Sequence, residues 1–166
     1  MSLATLFALL AMGTHLTLGL LVYFRAPGNP VNQHFSFILA LFFWWSTGEL
    51  LLLHVSPSPF LVPFLLTPVL CLPFFFARFT AIFPRPVQES PFLKTGWPRW
   101  LLILPVLVSV LILWSGTLFS TAEAFELGIR FRFGKLEYLV KGIVTGYLLL
   151  ALHTLSLARS RPNGNF

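Results

Sequence analysis

Five apolar stretches, Leu3–Phe24, Phe35–Val55, Phe60–Phe83, Trp100–Phe119 and Leu139–Leu157, occupy most of this 166-residue chain. Each is 19 to 24 residues long. A helix rising ~1.5 Å per residue needs roughly 20 apolar residues to cross ~30 Å of hydrocarbon. Lipid offers no partner to a free amide, so each segment must close its backbone hydrogen bonds within itself, as a helix does. Only 10% of residues are charged and 57% are hydrophobic, and the connecting segments are too short to build a soluble core. The fold expected is an all-α, polytopic membrane helix bundle of five transmembrane helices, a single domain over residues 1–166.

A formal charge of +6 would suggest nucleic acid in a soluble chain. Here the cations fall mainly in short loops, where they fix orientation and meet anionic head groups, and no basic stripe exists to follow a phosphate backbone. No nucleic-acid partner is expected; the bilayer itself is. Cys71, the single cysteine, falls within the third stretch and reads as a small apolar core residue. No Lys or Arg precedes Leu3, and the first apolar run exceeds a usual signal core, so it reads as a retained span.

Five spans put the termini on opposite sides. One side gathers Arg25–His34, Pro84–Arg99 and Ala158–Phe166, with Arg25, Arg85, Lys94, Arg99, Arg159 and Arg161. The other gathers the N-terminus, Ser56–Pro59 and Ser120–Tyr138, with Arg130, Arg132 and Lys135 offset by Glu123, Glu126 and Glu137. Six cations against three place the N-terminus outside and the C-terminus in the cytoplasm. Trp97 and Trp100 fit an inner aromatic belt, and Trp114 lies toward the outer end.

Ser56-Pro57-Ser58-Pro59 cannot continue a helix and closes a hairpin between spans two and three. Pro63, Pro68 and Pro73 each remove a backbone donor from span three, predicting a bent or locally unwound helix. In the outer loop, Gly128-Ile129-Arg130-Phe131-Arg132-Phe133-Gly134 alternates apolar and basic residues, predicting a short extended segment with one greasy face. Such a segment lies along the head groups or caps the bundle mouth.

Ionisable groups within spans are expensive, which makes each a functional candidate. His15 lies near the middle of span one, Glu49 in the outer third of span two, and His54 at that span's end. Arg78 and His153 lie in the inner third of spans three and five, and Lys141 just inside the outer end of span five. By depth, Glu49 and Lys141 are a reasonable salt bridge if spans two and five touch. Lys141 and Arg78 have the alternative of snorkelling to an interface, whereas a carboxylate is too short to do so. His15, Glu49 and His54 lie roughly 18, 9 and 1 Å below the outer face at ~1.5 Å per residue, too spread to share a metal. A haem between His15 and His153 meets the same mismatch. No metal, no cofactor and no catalytic constellation is expected. Gly142-x-x-x-Gly146 marks a face suited to close helix approach, inside the bundle or with a partner.

One segment goes beyond composition. Asn29-Pro30-x-Asn32-x-x-Phe35 follows span one, Gly48-Glu49-Leu50 follows a run of large apolar residues, and span three closes with Phe83-Pro84. An Asn-Pro step favours a turn, and Phe83-Pro84 stops a helix as it leaves the membrane. This pattern resembles the amino-terminal multi-helix sensor region, of the seven-helix type, of bacterial membrane histidine kinases. The likeness runs on through the tryptophan-led fourth span and Gly134–Tyr138. It implies a bacterial inner-membrane, multi-pass protein and a structural role for Asn29, Pro30, Asn32, Phe35, Phe83 and Pro84.

Those regions usually continue into two more spans and a kinase domain. These 166 residues contain no glycine-rich ATP motif and no histidine on a cytosolic helix suited to phosphotransfer. The expectation is therefore a truncated sensor-like module, non-catalytic, acting through helix contacts with other membrane protein subunits. The alternatives are an accessory subunit stabilising a larger membrane complex, and a small transporter or channel using span three and Glu49.

Overall fold

The computed structural model describes residues 2–55, 58, 60–83, 99–116, 119–125, 128–134 and 136–160. Its elements in chain order are α1 (Leu3–Arg25), α2 (Pro30–His54), α3 (Leu61–Ile82), α4 (Arg99–Trp114), β1 (Phe119–Phe125), β2 (Gly128–Phe133) and α5 (Glu137–Ser160). Pro84, the loop through Trp97, Lys135 and most of the Ser-Pro-Ser-Pro turn lie outside the described residues.

Helix starts follow capping chemistry. Ser2 accepts a hydrogen bond from the Thr5 amide at 3.1 Å and opens α1. Asn29 accepts from the Val31 amide at 2.8 Å, with Pro30 in the first turn of α2. Because of this cap α2 begins at Pro30, five residues before the apolar run, and the Asn-Pro-x-Asn segment is helix rather than loop. Ser58 accepts from the Leu61 amide at 2.9 Å at the head of α3.

Four helices, α1, α2, α3 and α5, are long and apolar enough to cross a bilayer. The expected fourth span, Trp100–Phe119, is cut short. Over the described residues α4 ends at Trp114, its apolar part being Leu102–Trp114. The reason is local: the Gly116 amide bonds back to the Leu113 carbonyl at 3.3 Å, and Gly116 takes φ 73°. A left-handed glycine just past the last turn ends a helix, and Phe119 starts a strand. The helical expectation therefore holds for the apolar segments, while the outer loop adds an antiparallel hairpin.

Neighbouring helices run antiparallel. Thr5 meets His54, His15 meets Ser46 and Asn32 meets the Val22 carbonyl, so α1 descends along α2. Phe35 packs on Phe79, Phe37 on Phe75 and Trp44 on Phe64, so α3 runs back along α2. Leu70 shares a cluster with Leu113 and Val140; Phe74, Ala77 and Ala81 share another with Val106, Tyr147 and Ala151. Through these contacts α4 runs antiparallel to α3, and α5 runs parallel to it. The alternation gathers the start of α1, the end of α2, the start of α3, the end of α4 and the start of α5 at one end of the bundle.

α3 is the centre, touching α2, α4 and α5, whereas α1 lies mainly on α2. Ala77 and Ala81 are wholly buried on α3, letting α4 and α5 approach. Pro63 falls in its first turn, where no intrahelical donor is lost. Pro68 and Pro73 lie inside a helix that is continuous from Leu61 to Ile82, so the expected local unwinding is not found. The Thr67 hydroxyl donates to the Pro63 carbonyl at 2.7 Å, and neighbouring helices cover both inner prolines.

The tightest approach is between α2 and α3. A Cβ added at Gly48 would overlap Leu65 Cδ1 and sit 3.1 Å from its Cβ and 3.2 Å from its Cα. Side-chain rotation relieves the first contact but not the other two. Gly48→Ala is therefore expected to destabilise the fold by roughly 1–3 kcal/mol, despite a helix-propensity gain of about 1 kcal/mol. Gly142→Ala, with no described atom within 4 Å of the added carbon, is expected to be neutral or stabilising. Denaturant titration of both variants in one detergent checks this; equal effects would contradict the close approach.

Candidate functional site

The polar groups of the spans do not converge. They divide between a seam along α1 and α2 and the outer surfaces of α3 and α5. Along the seam, His15 is partly buried, its ring stacked on Phe42 with centroids 5.2 Å apart. Its Nδ1 lies 3.4 Å from the hydroxyl of Ser46, which is buried on α2. At the end of the seam, His54 Nε2 lies 3.5 Å from the Thr5 hydroxyl, which also pairs with Ser2 at 2.8 Å.

Glu49 stands between these pairs, three residues from Ser46 and five from His54. It is partly buried, one turn after Trp45 on the same helix. Trp45 in turn packs against the Leu52–Val62–Leu65 cluster, which holds the indole in place.

The expected Glu49–Lys141 salt bridge does not form. Lys141 pairs with Glu137, one turn back on α5, and its side chain is 63% exposed. The cause is the packing order: α5 lies on α3 and α4, so the depth shared by Glu49 and Lys141 does not bring them together. Arg78 and His153 are exposed on the outside of α3 and α5, so neither enters the bundle interior. His15 and His153 thus belong to different faces of different helices. Among the described residues no three His, Cys, Asp or Glu side chains are grouped to hold a metal ion. Cys71 packs half-buried beside the Phe74 cluster.

The motif residues behave differently, for most of them meet at one end. Asn29 caps α2, and Asn32 Nδ2 donates to the Val22 carbonyl of α1 at 3.1 Å. Phe35 packs on Phe79 at 5.8 Å, and Phe79 stacks on Phe83 at 5.3 Å. The segment therefore ties three helix ends: an amide clamp to α1 and a ring stack to α3. Pro84 is outside the described residues.

Gly142 and Gly146 are exposed on α5, and a Cβ at either would meet no described atom within 4 Å. Val140, Tyr147, Ala151 and Thr154 form the opposite, buried face. Among the described residues the close-approach motif is consequently not used inside the bundle. It lies beside Thr145 and Leu149 on an uncovered face.

Sequence reasoning missed the bonds that join helices through a single polar atom. The Tyr147 hydroxyl donates to the Leu102 carbonyl, linking α5 to α4. Trp114 Nε1 donates to the Thr67 hydroxyl at 3.1 Å, linking α4 to α3. The available signal was residue type, since Tyr and Trp in an apolar span need a partner for their one polar atom.

Comparison with protein-family models, curated proteins and solved structures finds no match to this chain.

The surroundings of Glu49 give a direct test. Trp45→Phe removes the polar atom one turn from Glu49 on α2 and is expected to shift the carboxyl infrared band of Glu49, identified by its loss in Glu49→Gln. Lys141→Gln should leave that band in place. A shift with Lys141→Gln would show that the two groups interact after all.

Proposed function

We propose that this chain is a non-catalytic, multi-pass membrane protein that works by docking a partner's transmembrane helix on α5. One observation carries this reading: Gly142 and Gly146 open onto the outer face, with space where side chains would be. Between lipid-bathed helices there is little hydrophobic drive to associate, and small residues allow the close backbone packing that replaces it. A glycine costs helix stability, and these two serve no described contact within the bundle.

In this proposal the chain is a sensor-like signalling module of the bacterial inner membrane, as its resemblance to kinase sensor regions implies. Supporting it, Asn29, Pro30, Asn32, Phe35 and Phe83 form one linked assembly at a single end. Movement of α1 against α2 there would pass through the ring stack to α3, and from α3 to α5. The bundle crosses five times, with α4 as the shorter fourth crossing, the N-terminus outside and the C-terminus inside, following the six-to-three cation bias.

A second reading, an accessory subunit that holds a larger complex together, is favoured by α1. That helix leaves Leu10, Gly13, Thr14 and Thr17 open on the side away from α2. Two open faces with small residues, on α1 and α5, suit a subunit wedged between two neighbours.

Gly142→Ile and Gly146→Ile should lower recovery of the partner from native membranes in mild detergent at least tenfold, with the bundle's own unfolding unchanged. Unchanged recovery would overturn the docking role. A signalling module should also lose a measurable downstream response, whereas an accessory subunit should lose only complex stability. A C-terminal tag is expected to be protected from external protease in intact cells and cleaved after permeabilisation. Cleavage in intact cells would reverse the orientation.

A further inference from the structure

α1 and α2 are joined by a kind of side-chain bond that the other spans do not use among the described residues. Hydroxyls in the spans mostly turn back on their own helix: Thr14 donates to the Leu10 carbonyl, Thr47 to Phe43, Thr67 to Pro63 and Thr154 to Leu150, each at 2.7 or 2.8 Å. Ser46, buried on α2, instead faces Nδ1 of His15 on α1 at 3.4 Å. Thr5, buried on α1, faces Nε2 of His54 on α2 at 3.5 Å. Each helix thus gives one histidine to a hydroxyl of the other. His15 is the thirteenth of the 23 residues of α1, in mid-span, with its ring stacked on Phe42.

What else holds α1 is lopsided. It lies mainly on α2, and only Thr5 and Ala8 of its residues are buried. Near its last turn Asn32 Nδ2 donates to the Val22 carbonyl at 3.1 Å, and the short turn Ala26–Asn29 ties the two helices covalently. Neither an amide nor a peptide turn titrates. At ~1.5 Å per residue, His15 lies about 10 Å and Thr5 about 25 Å along α1 from that clamp. Tilting α1 about the clamp until His15 has moved about 2 Å breaks its bond to Ser46, and the same tilt carries the first turn of α1 about 5 Å.

We propose that the α1–α2 seam is an acid-operated joint: with His15 neutral α1 lies on α2, and protonation of His15 swings the first half of α1 away about the Asn32 clamp. Histidine is the side chain whose ordinary titration falls between pH 5 and 8. Its charged ring is costly in hydrocarbon, so acid favours the arrangement that lets water reach it, and opening the seam from its free end does so. The titratable groups along the seam are few. α1 carries no other before Tyr23, and α2 offers Glu49, one turn beyond Ser46, and His54 at its end. A carboxylate at Glu49 stabilises the charged ring once the gap is open. The closed seam is therefore held above the histidine range and given up as pH falls through it. The inference concerns α1 and does not rest on partner docking at α5.

The full chain, with Cys71→Ala, is placed in nanodiscs with spin labels on Leu3→Cys and Val55→Cys, both positions exposed at the free end of the seam. A second pair, on Phe24→Cys and Ala40→Cys, is the reference near the clamp; both of its positions are exposed. Between pH 8 and pH 5 the first distance, read by pulsed electron resonance, is expected to lengthen by about 5 Å while the second stays fixed. His15→Gln, neutral throughout, should abolish the lengthening, and His54→Gln should leave it in place. No lengthening, or lengthening that survives His15→Gln, overturns the proposal. Should His15→Gln fail to fold, Ser46→Ala decides. With less to hold the neutral form, the midpoint of the lengthening should move to higher pH, and an unmoved midpoint overturns the proposal.

Discussion

The bundle depends on α3 lying in close contact with its neighbours. Lipid tails are as apolar as leucine, so burying Leu65 or Phe74 against another helix gains little from leaving lipid. What remains is packing, and packing falls off steeply with distance. The sequence supplies small residues at the contacts that matter: Gly48 on α2 against Leu65, and Ala77 and Ala81 on α3 against α4 and α5. Where α3 is broad instead of thin, rings interlock. Phe37 meets Phe75 at 4.5 Å, Phe75 meets Phe74 at 5.1 Å and Phe74 meets Tyr147 at 5.6 Å, a ring ladder from α2 through α3 to α5.

Polar atoms follow the same logic. Hydroxyls within spans turn back on their own helix: Thr67 to Pro63, Ser109 to Pro105, Thr154 to Leu150. Each bonds the carbonyl one turn earlier on its own helix, so the hydroxyl is satisfied without a partner helix. A few polar atoms instead cross between helices, and these lie between elements that already touch: His15 to Ser46, Trp114 to Thr67, Tyr147 to Leu102. The fully charged groups stay at the ends or on the outside, as Lys141 and Arg78 do.

This distribution bears on function. Among the described residues the inside of the α3–α4–α5 half is apolar or self-satisfied, whereas the α1–α2 seam holds the partly buried His15 and the exposed His54 and lies next to Glu49. The open glycine face belongs to the α3–α4–α5 half, and α1 is attached mainly through α2. The Phe35–Phe79–Phe83 stack joins α2 to the end of α3.

How much was legible in the sequence varied with the range of the interaction. Helix identity was readable because hydrocarbon thickness fixes a length, whereas the Asn29 cap, which starts α2 five residues before its apolar run, lies outside the apolar pattern. The extended character of Gly128–Phe133 was readable because a period of two is local. The early end of α4 was signalled only by Gly116, whose left-handed backbone no periodicity reveals. Which helix lies beside which was not written in any one segment. Lys141 shared a depth with Glu49, yet depth is one coordinate, and packing order, with α5 on α3, sent it to Glu137 instead. The outward face of Gly142 and Gly146 likewise followed from which side of α5 carries Tyr147 and Ala151 inward. The chain by itself determined that rods would form in lipid and where most of them start, because solvent and backbone chemistry act locally. Only the tertiary structure decided which faces are spent on neighbours and which stay open, because that choice belongs to the rods together.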